Sequence, residues 1–121
     1  MPFHVRISRF TYPDATVIAI DGEFDLVSVN AVATPAEESI LTRRPIVFDL
    51  SACRHVGDCA LRFLLEAARL QDVPMAVVFG ESPARSTFAM MSIDHGIRGF
   101  PKLQSALDWL AGRSSSKGLV D

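Results

Sequence analysis

Pro45-Ile46-Val47-Phe48-Asp49-Leu50-Ser51-Ala52-Cys53-Arg54-His55-Val56-Gly57-Asp58-Cys59-Ala60-Leu61-Arg62-Phe63-Leu64-Leu65 carries the clearest fold signal in the chain. Pro45 to Leu50 is an apolar run without alternation, the pattern of a strand buried on both faces. Residues 58–71 place Leu61, Leu64, Leu65 and Ala68 at i, i+3, i+4 and i+7, the stripe of a core-facing helix. A buried strand feeding a helix through a short loop is the unit of an α/β sheet. Such a loop lies at the carboxyl end of its strand, where open α/β sheets place their working surface. Free N–H donors at the helix start also favour negative charge there.

Downstream, Pro74 stops the helix. Met75 to Phe79 is a second buried strand, closed by Gly80. Ser82-Pro83 opens a helix as N-cap and first residue, running to Ser92 with Phe88, Met90 and Met91 as packing residues. Asp94-His95-Gly96 breaks the chain. Ile97 to Phe100 reads as a short edge strand limited by Pro101. Ser105 to Ala111 is the last helix, with Trp109 and Leu110 docking it, and Arg113 to Asp121 reads as a frayed tail. The domain is therefore expected over residues 1–112, with a flexible tail over 113–121.

Upstream, Phe3, Val5 and Ile7 alternate with His4, Arg6 and Ser8, as in a half-buried strand. Tyr12-Pro13-Asp14-Ala15 is a turn, and Thr16 to Ile20 a second strand closed by Asp21-Gly22. The two make a hairpin. Glu23 to Thr42 is helix-compatible but holds Pro35, which costs about 3 kcal/mol inside a helix. The cheaper expectation is a split. A short turn spans 28–33, and a firmer helix runs from 35 to 42 with Thr34 as N-cap and Glu37 completing a capping box. The order β-β-α-β-α-β-α-β-α implies right-handed crossovers. The expected fold class is α/β, a mixed sheet of four to five strands with an N-terminal β-hairpin, flanked by four helices.

Composition excludes more than it identifies. The 121 residues suit one domain, and 49% apolar residues can fill its core. A formal charge of -2 gives no attraction to nucleic acid or an anionic membrane, so neither is an expected partner. The longest apolar runs fall far below the roughly 20 residues of a spanning helix, and MPFHVRISRF has no secretory core. Cys53 and Cys59 fit neither CxxC nor a disulfide framework, and three scattered histidines add no metal spacing. No GxxxxGK or GxGxxG occurs. A cytoplasmic protein without metal or cofactor is expected.

The chain resembles a STAS domain, the fold of bacterial anti-sigma factor antagonists. Asp49-Leu50-Ser51 and Leu61-x-x-Leu64-Leu65 carry the resemblance, with Gly22-Glu23-Phe24-Asp25, Gly80-Glu81-Ser82-Pro83 and Ser105-Ala106-Leu107 in the matching order. It covers residues 3–112. The resemblance implies a non-enzymatic interaction module in transcription regulation. Its partner would be an anti-sigma factor that is also a serine kinase. In the family, the unphosphorylated antagonist binds that partner and frees the sigma factor, and phosphorylation ends the binding.

The family's Asp-Ser-Ser/Thr-Gly falls, without gaps, on Gly57-Asp58-Cys59-Ala60. Asp58 then stands where the phosphorylated serine would be. A gapped alignment would put Cys59 there instead, at the expense of a deletion before Leu61. Phosphoserine carries about -1.5 to -2 charges, whereas a carboxylate carries about -1 and fewer acceptor oxygens. Asp58 would thus imitate the phosphorylated state in part and permanently. Its simpler role is that of a helix N-cap, and the two are compatible.

Arg54 and Arg62 flank the loop, either as solvated charges or as readers of an acidic partner patch. Asp25 is expected to stabilise the turn after the second strand. Cys59 is either a small packed thiol or, beside His55, a reactive thiolate. Two alternatives therefore stay open beside the anti-sigma antagonist. One is a STAS-type regulatory or sensory domain binding other STAS proteins or a small ligand. The other is a small enzyme using Cys59.

Overall fold

Alternation along the N-terminal residues builds a hairpin. In the computed structural model, which describes residues 3–11, 13–70, 74–80 and 97–120, β1 (Phe3–Thr11) pairs antiparallel with β2 (Asp14–Phe24). Ile7 faces Ile18 and Val5 faces Ile20 across the pair, so the apolar set of β1 lies on one face. Asp14 and Ala15, expected in the turn, already belong to β2.

β2 is long enough to be shared. Its first half pairs parallel with β3 (Ile46–Asp49), Thr16 to Ala19 against Ile46 to Asp49. Its second half pairs parallel with β4 (Cys53–Val56), Gly22 against Cys53 and Phe24 against Val56, with a register shift between Gly22 and Glu23. β5 (Met75–Val78) pairs with β3, and β6 (Ile97–Phe100) with β5, both parallel. The sheet runs β1-β2-β3-β5-β6, with β4 on the far half of β2.

The mixed sheet and its N-terminal hairpin agree with expectation, but the element counts do not. The described residues form six strands and three helices, not four to five strands and four helices. The extra strand is β4, in the stretch where the sequence predicts a loop. They lack a strand pattern because only Cys53 is buried, and the overhanging half of β2 recruits them. The expected helix from Ser82, with Phe88, Met90 and Met91, lies outside the described residues, as does the break at Asp94-His95-Gly96.

Helix α1 (Leu26–Leu41) is continuous, and Pro35 sits inside it rather than at its start. The expected split with Thr34 as N-cap is corrected by burial. Ser28, Val32, Ala36 and Ser39 form one buried stripe that runs past the proline. Ala31, whose carbonyl loses the bond that Pro35 cannot donate, is exposed and open to water. At the other end Arg43 takes a left-handed φ of 56°, and the N–H groups of Arg43 and Arg44 donate to the carbonyls of Ile40 and Ser39. That is a Schellman stop in which glycine is the usual residue. Buried Ser39 is satisfied by the Arg44 carbonyl and the Thr16 hydroxyl, each at 3.0 Å.

Helix α2 (Asp58–Leu70) covers the same face as α1. Leu61 and Leu64 are buried, and Leu65 and Ala68 pack against them, as the spacing predicts. Phe63 of α2 meets Phe24 and Phe48 edge-on, at centroid distances of 6.4 and 6.2 Å. The opposite face carries α3 (Leu103–Val120), whose Ala106, Leu107 and Leu110 pack on Val17, Val47, Ala76 and Val78. α3 starts two residues before Ser105, and its backbone continues helically past Ala111, where the last helix was expected to stop. Trp109 packs against this cluster and lies 5.6 Å from Phe100. No helix among the described residues is long and apolar enough to cross a membrane.

Candidate functional site

Two helices begin side by side at the carboxyl end of the sheet. β2 delivers the chain to Asp25, the N-cap of α1. Its Oδ1 accepts from the N–H of Val27 at 3.1 Å and of Ser28 at 3.4 Å. The Asp25 N–H donates to Ser28 Oγ at 2.8 Å, and the Ser28 hydroxyl donates to the Glu23 carbonyl at 2.9 Å. This reciprocal cap replaces the one expected at Thr34 and Glu37. An Asp25→Ala variant should lose about 1 kcal/mol, the usual worth of such a cap, and chemical denaturation with a smaller midpoint and unchanged slope would record it.

β4 delivers the chain to α2. The Gly57 N–H donates to the Phe24 carbonyl at 2.8 Å, which fixes the end of β4 to the end of β2. The Gly57 carbonyl accepts from Ala60 and Leu61, both at 3.1 Å. Gly57 therefore occupies the N-cap position, and Asp58 is the first helical residue. This corrects the N-cap role expected for Asp58. Its carboxylate still lies in the first turn, where the helix dipole favours it.

The structure joins some of the expected residues and separates others. A Cβ on Gly57 would lie 3.7 Å from both Asp25 Cβ and His55 Nε2, so the starts of α1 and α2 touch there. Asp58 is exposed, and neither it, Arg54 nor Arg62 has a side-chain hydrogen bond or ion pair among the described residues. Arg54 turns away to a shallow hollow with Phe3, His4, Asp21 and Gly22. Arg62 is exposed one turn along α2. Ala60 is fully buried and serves packing, so it offers a partner no surface.

Leu26 and Val27 were missed. They are 70% and 65% exposed in the first turn of α1, directly after Asp25. Exposed apolar side chains inside a polar rim are the composition of an interface centre. Their signal was positional. Both fall off the buried stripe of Ser28, Val32, Ala36 and Ser39, which the expected break at Pro35 concealed.

The two cysteines differ. Cys53 is buried, and its thiol donates to the Ile20 carbonyl at 3.1 Å. Burial pushes the thiol up to about 12, with Asp21 and Asp49 adding to the shift. Cys59 is half-buried, and both thiols are free. In native protein at pH 8, iodoacetamide should alkylate Cys59 and leave Cys53 unmodified until the chain unfolds, as peptide mass mapping would record. Raised pKa values favour the neutral form in the fold. This contribution is intact below the ordinary thiol range and is lost as pH rises from about 9 towards about 12. No group of three or more His, Cys, Asp or Glu among the described residues could hold a metal ion.

The STAS domain profile matches residues 7–106. The chain belongs to the STAS domain family. The STAS fold is shared with an anti-sigma factor antagonist from Mycobacterium paratuberculosis, at 20% identity and a TM-score of 0.78, covering 90% of this chain and 94% of that one. The anti-sigma factor antagonist SpoIIAA in its unphosphorylated form superposes with a TM-score of 0.71 at 15% identity, covering 90% and 99%. A DUF3478-family protein from Shewanella loihica with a SpoIIAA-like fold gives 0.62 at 12% identity, covering 89% and 93%. Identities this low establish a common fold. None of the curated proteins matches the sequence.

Proposed function

We propose that this STAS domain is an anti-sigma factor antagonist-like module of the cytoplasm, which acts by binding rather than by catalysis. Its partner is an anti-sigma factor of the serine-kinase type, and its output is the availability of a sigma factor. The binding face is the paired starts of α1 and α2: Asp25, Leu26, Val27, Gly57, Asp58 and Cys59, with Arg62 at the rim. Arg54 belongs to the adjoining side of β4.

The observation that carries this reading is Asp58, exposed in the first turn of α2 with no side-chain partner among the described residues. On the ungapped reading of the motif, it stands where the family's phosphorylated serine would be. It has no hydroxyl to accept a phosphoryl group, and it carries a permanent negative charge. The module therefore lacks the usual serine switch and stays in the weaker-binding state towards a partner that reads an uncharged serine.

A pairwise interaction screen against the anti-sigma factors of the source organism tests this. Asp58→Ser should bind its partner at least about tenfold more tightly than wild type, the effect of removing one charge from a desolvated contact. Equal affinities of wild type, Asp58→Ser and Asp58→Ala would sink the switch. Recovery of STAS proteins only would favour a STAS-binding regulatory domain instead.

A further inference from the structure

β1 is the last strand on its side of the sheet. β2 pairs all of it, from Phe3 against Gly22 to Thr11 against Asp14, and no strand among the described residues pairs its other edge. Such an edge presents a row of unused N–H and C=O groups. It reads Phe3-His4-Val5-Arg6-Ile7-Ser8-Arg9-Phe10-Thr11, with two arginines and no acid.

Beside this edge, towards the C-terminal half of α1, lies a cleft of about 530 Å3. Ile7, Pro35 and Leu41 give it apolar walls, and Arg9 and Arg44 give it guanidinium groups. Ile7 is 53% and Leu41 84% exposed. Arg44 is bonded to Asp14 at 2.9 Å and Arg6 to Asp21 at 3.1 Å. Glu38 also lines the cleft, yet Arg9 has no ion pair among the described residues.

We infer that β1 and this cleft form a docking edge for an extended segment of a partner protein whose cleft-facing side chains, at every second position, are apolar and acidic in turn. Main-chain bonds to the free edge hold such a strand, and alternate side chains face the cleft. On that face, apolar side chains cover Ile7 and Leu41, and a carboxylate reaches Arg9. A second copy of this chain is a poor occupant. Two β1 strands would bring the arginines of both copies into one ribbon with no acid on either. The cleft lies at the end of α1 opposite Asp25, apart from the face proposed above, while the Phe3 end of β1 runs on to Gly22.

The probe is a short capped peptide, Thr-Val-Thr-Glu-Thr-Val-Thr, fluorophore-labelled, with a counterpart that has lysine in place of glutamate. Anisotropy at low salt should show saturable binding of the glutamate peptide only, weakened by added salt. Arg9→Glu, at an exposed position, should weaken it at least about tenfold. Ile7→Asp should weaken it as well. Amide NMR shifts should centre on residues 3–11. Equal binding of the two peptides, absence of binding, or shifts centred on Leu26 and Gly57 would overturn the inference. So would sedimentation showing a homodimer together with hydrogen exchange showing its outward β1 amides protected.

Discussion

Phe24→Ala is expected to cost about 3–5 kcal/mol, the range for truncating a fully buried aromatic side chain. Phe24 is completely buried at the end of β2. Its ring meets Phe63 of α2 edge-on at 6.4 Å, and its carbonyl receives the Gly57 N–H at 2.8 Å. One residue thus packs against α2 through its side chain and fixes the start of α2 through its backbone. Truncation opens a cavity beneath the point where α1 and α2 begin. Thermal unfolding should move down by more than about 10 °C. Amide exchange should accelerate first at Gly57 to Leu61. A loss below about 1 kcal/mol would mean that Phe63 and Phe48 close the gap alone.

Gly80→Val should cost about 3 kcal/mol. Gly80 has a φ of +55°, a conformation that costs an L side chain about 1–2 kcal/mol, more when it is β-branched. Its Cβ would also stand 2.9 Å from Ser51 Cβ and 3.4 Å from Ser51 Cα. Ser51 cannot step aside readily. Its N–H donates to Asp49 Oδ1 at 3.0 Å and its hydroxyl to the same oxygen at 2.6 Å. Overpacking of this kind costs a further 1–3 kcal/mol, roughly. Gly80→Ala separates the terms, since alanine keeps the clash and is less strained in φ. It should fall between wild type and the valine variant in urea denaturation.

Most of the fold was legible because its signals are local. Alternation gave β1, unbroken apolar runs gave β3 and β5, and the spacing of Leu61, Leu64, Leu65 and Ala68 gave α2. Pro35 misled because its cost is local while its compensation is tertiary. The stripe Ser28, Val32, Ala36 and Ser39 is recognisable as buried only once β2 lies beneath it. β4 was invisible for a related reason. Arg54 and His55 are exposed, and the strand exists because β2 overhangs β3 and needs a partner there.

The candidate site was legible in its address and less so in its parts. The strand-loop-helix stretch led directly to Gly57 and Asp58. A one-residue shift in the helix start then moved the cap from Asp58 to Gly57, a difference that depends on which carbonyl receives the first helical bonds. Leu26 and Val27 escaped because an apolar residue at a helix start reads as core until its exposure is known.

In the proposed module, Asp58 stands in the place of a phosphorylatable serine. The direct measurement is phosphoryl transfer from ATP by the partner kinase to wild type and to Asp58→Ser, followed by intact mass and peptide mapping. The prediction is one phosphoryl group on the variant, at position 58, and none on wild type. Equal phosphorylation of both proteins would contradict it.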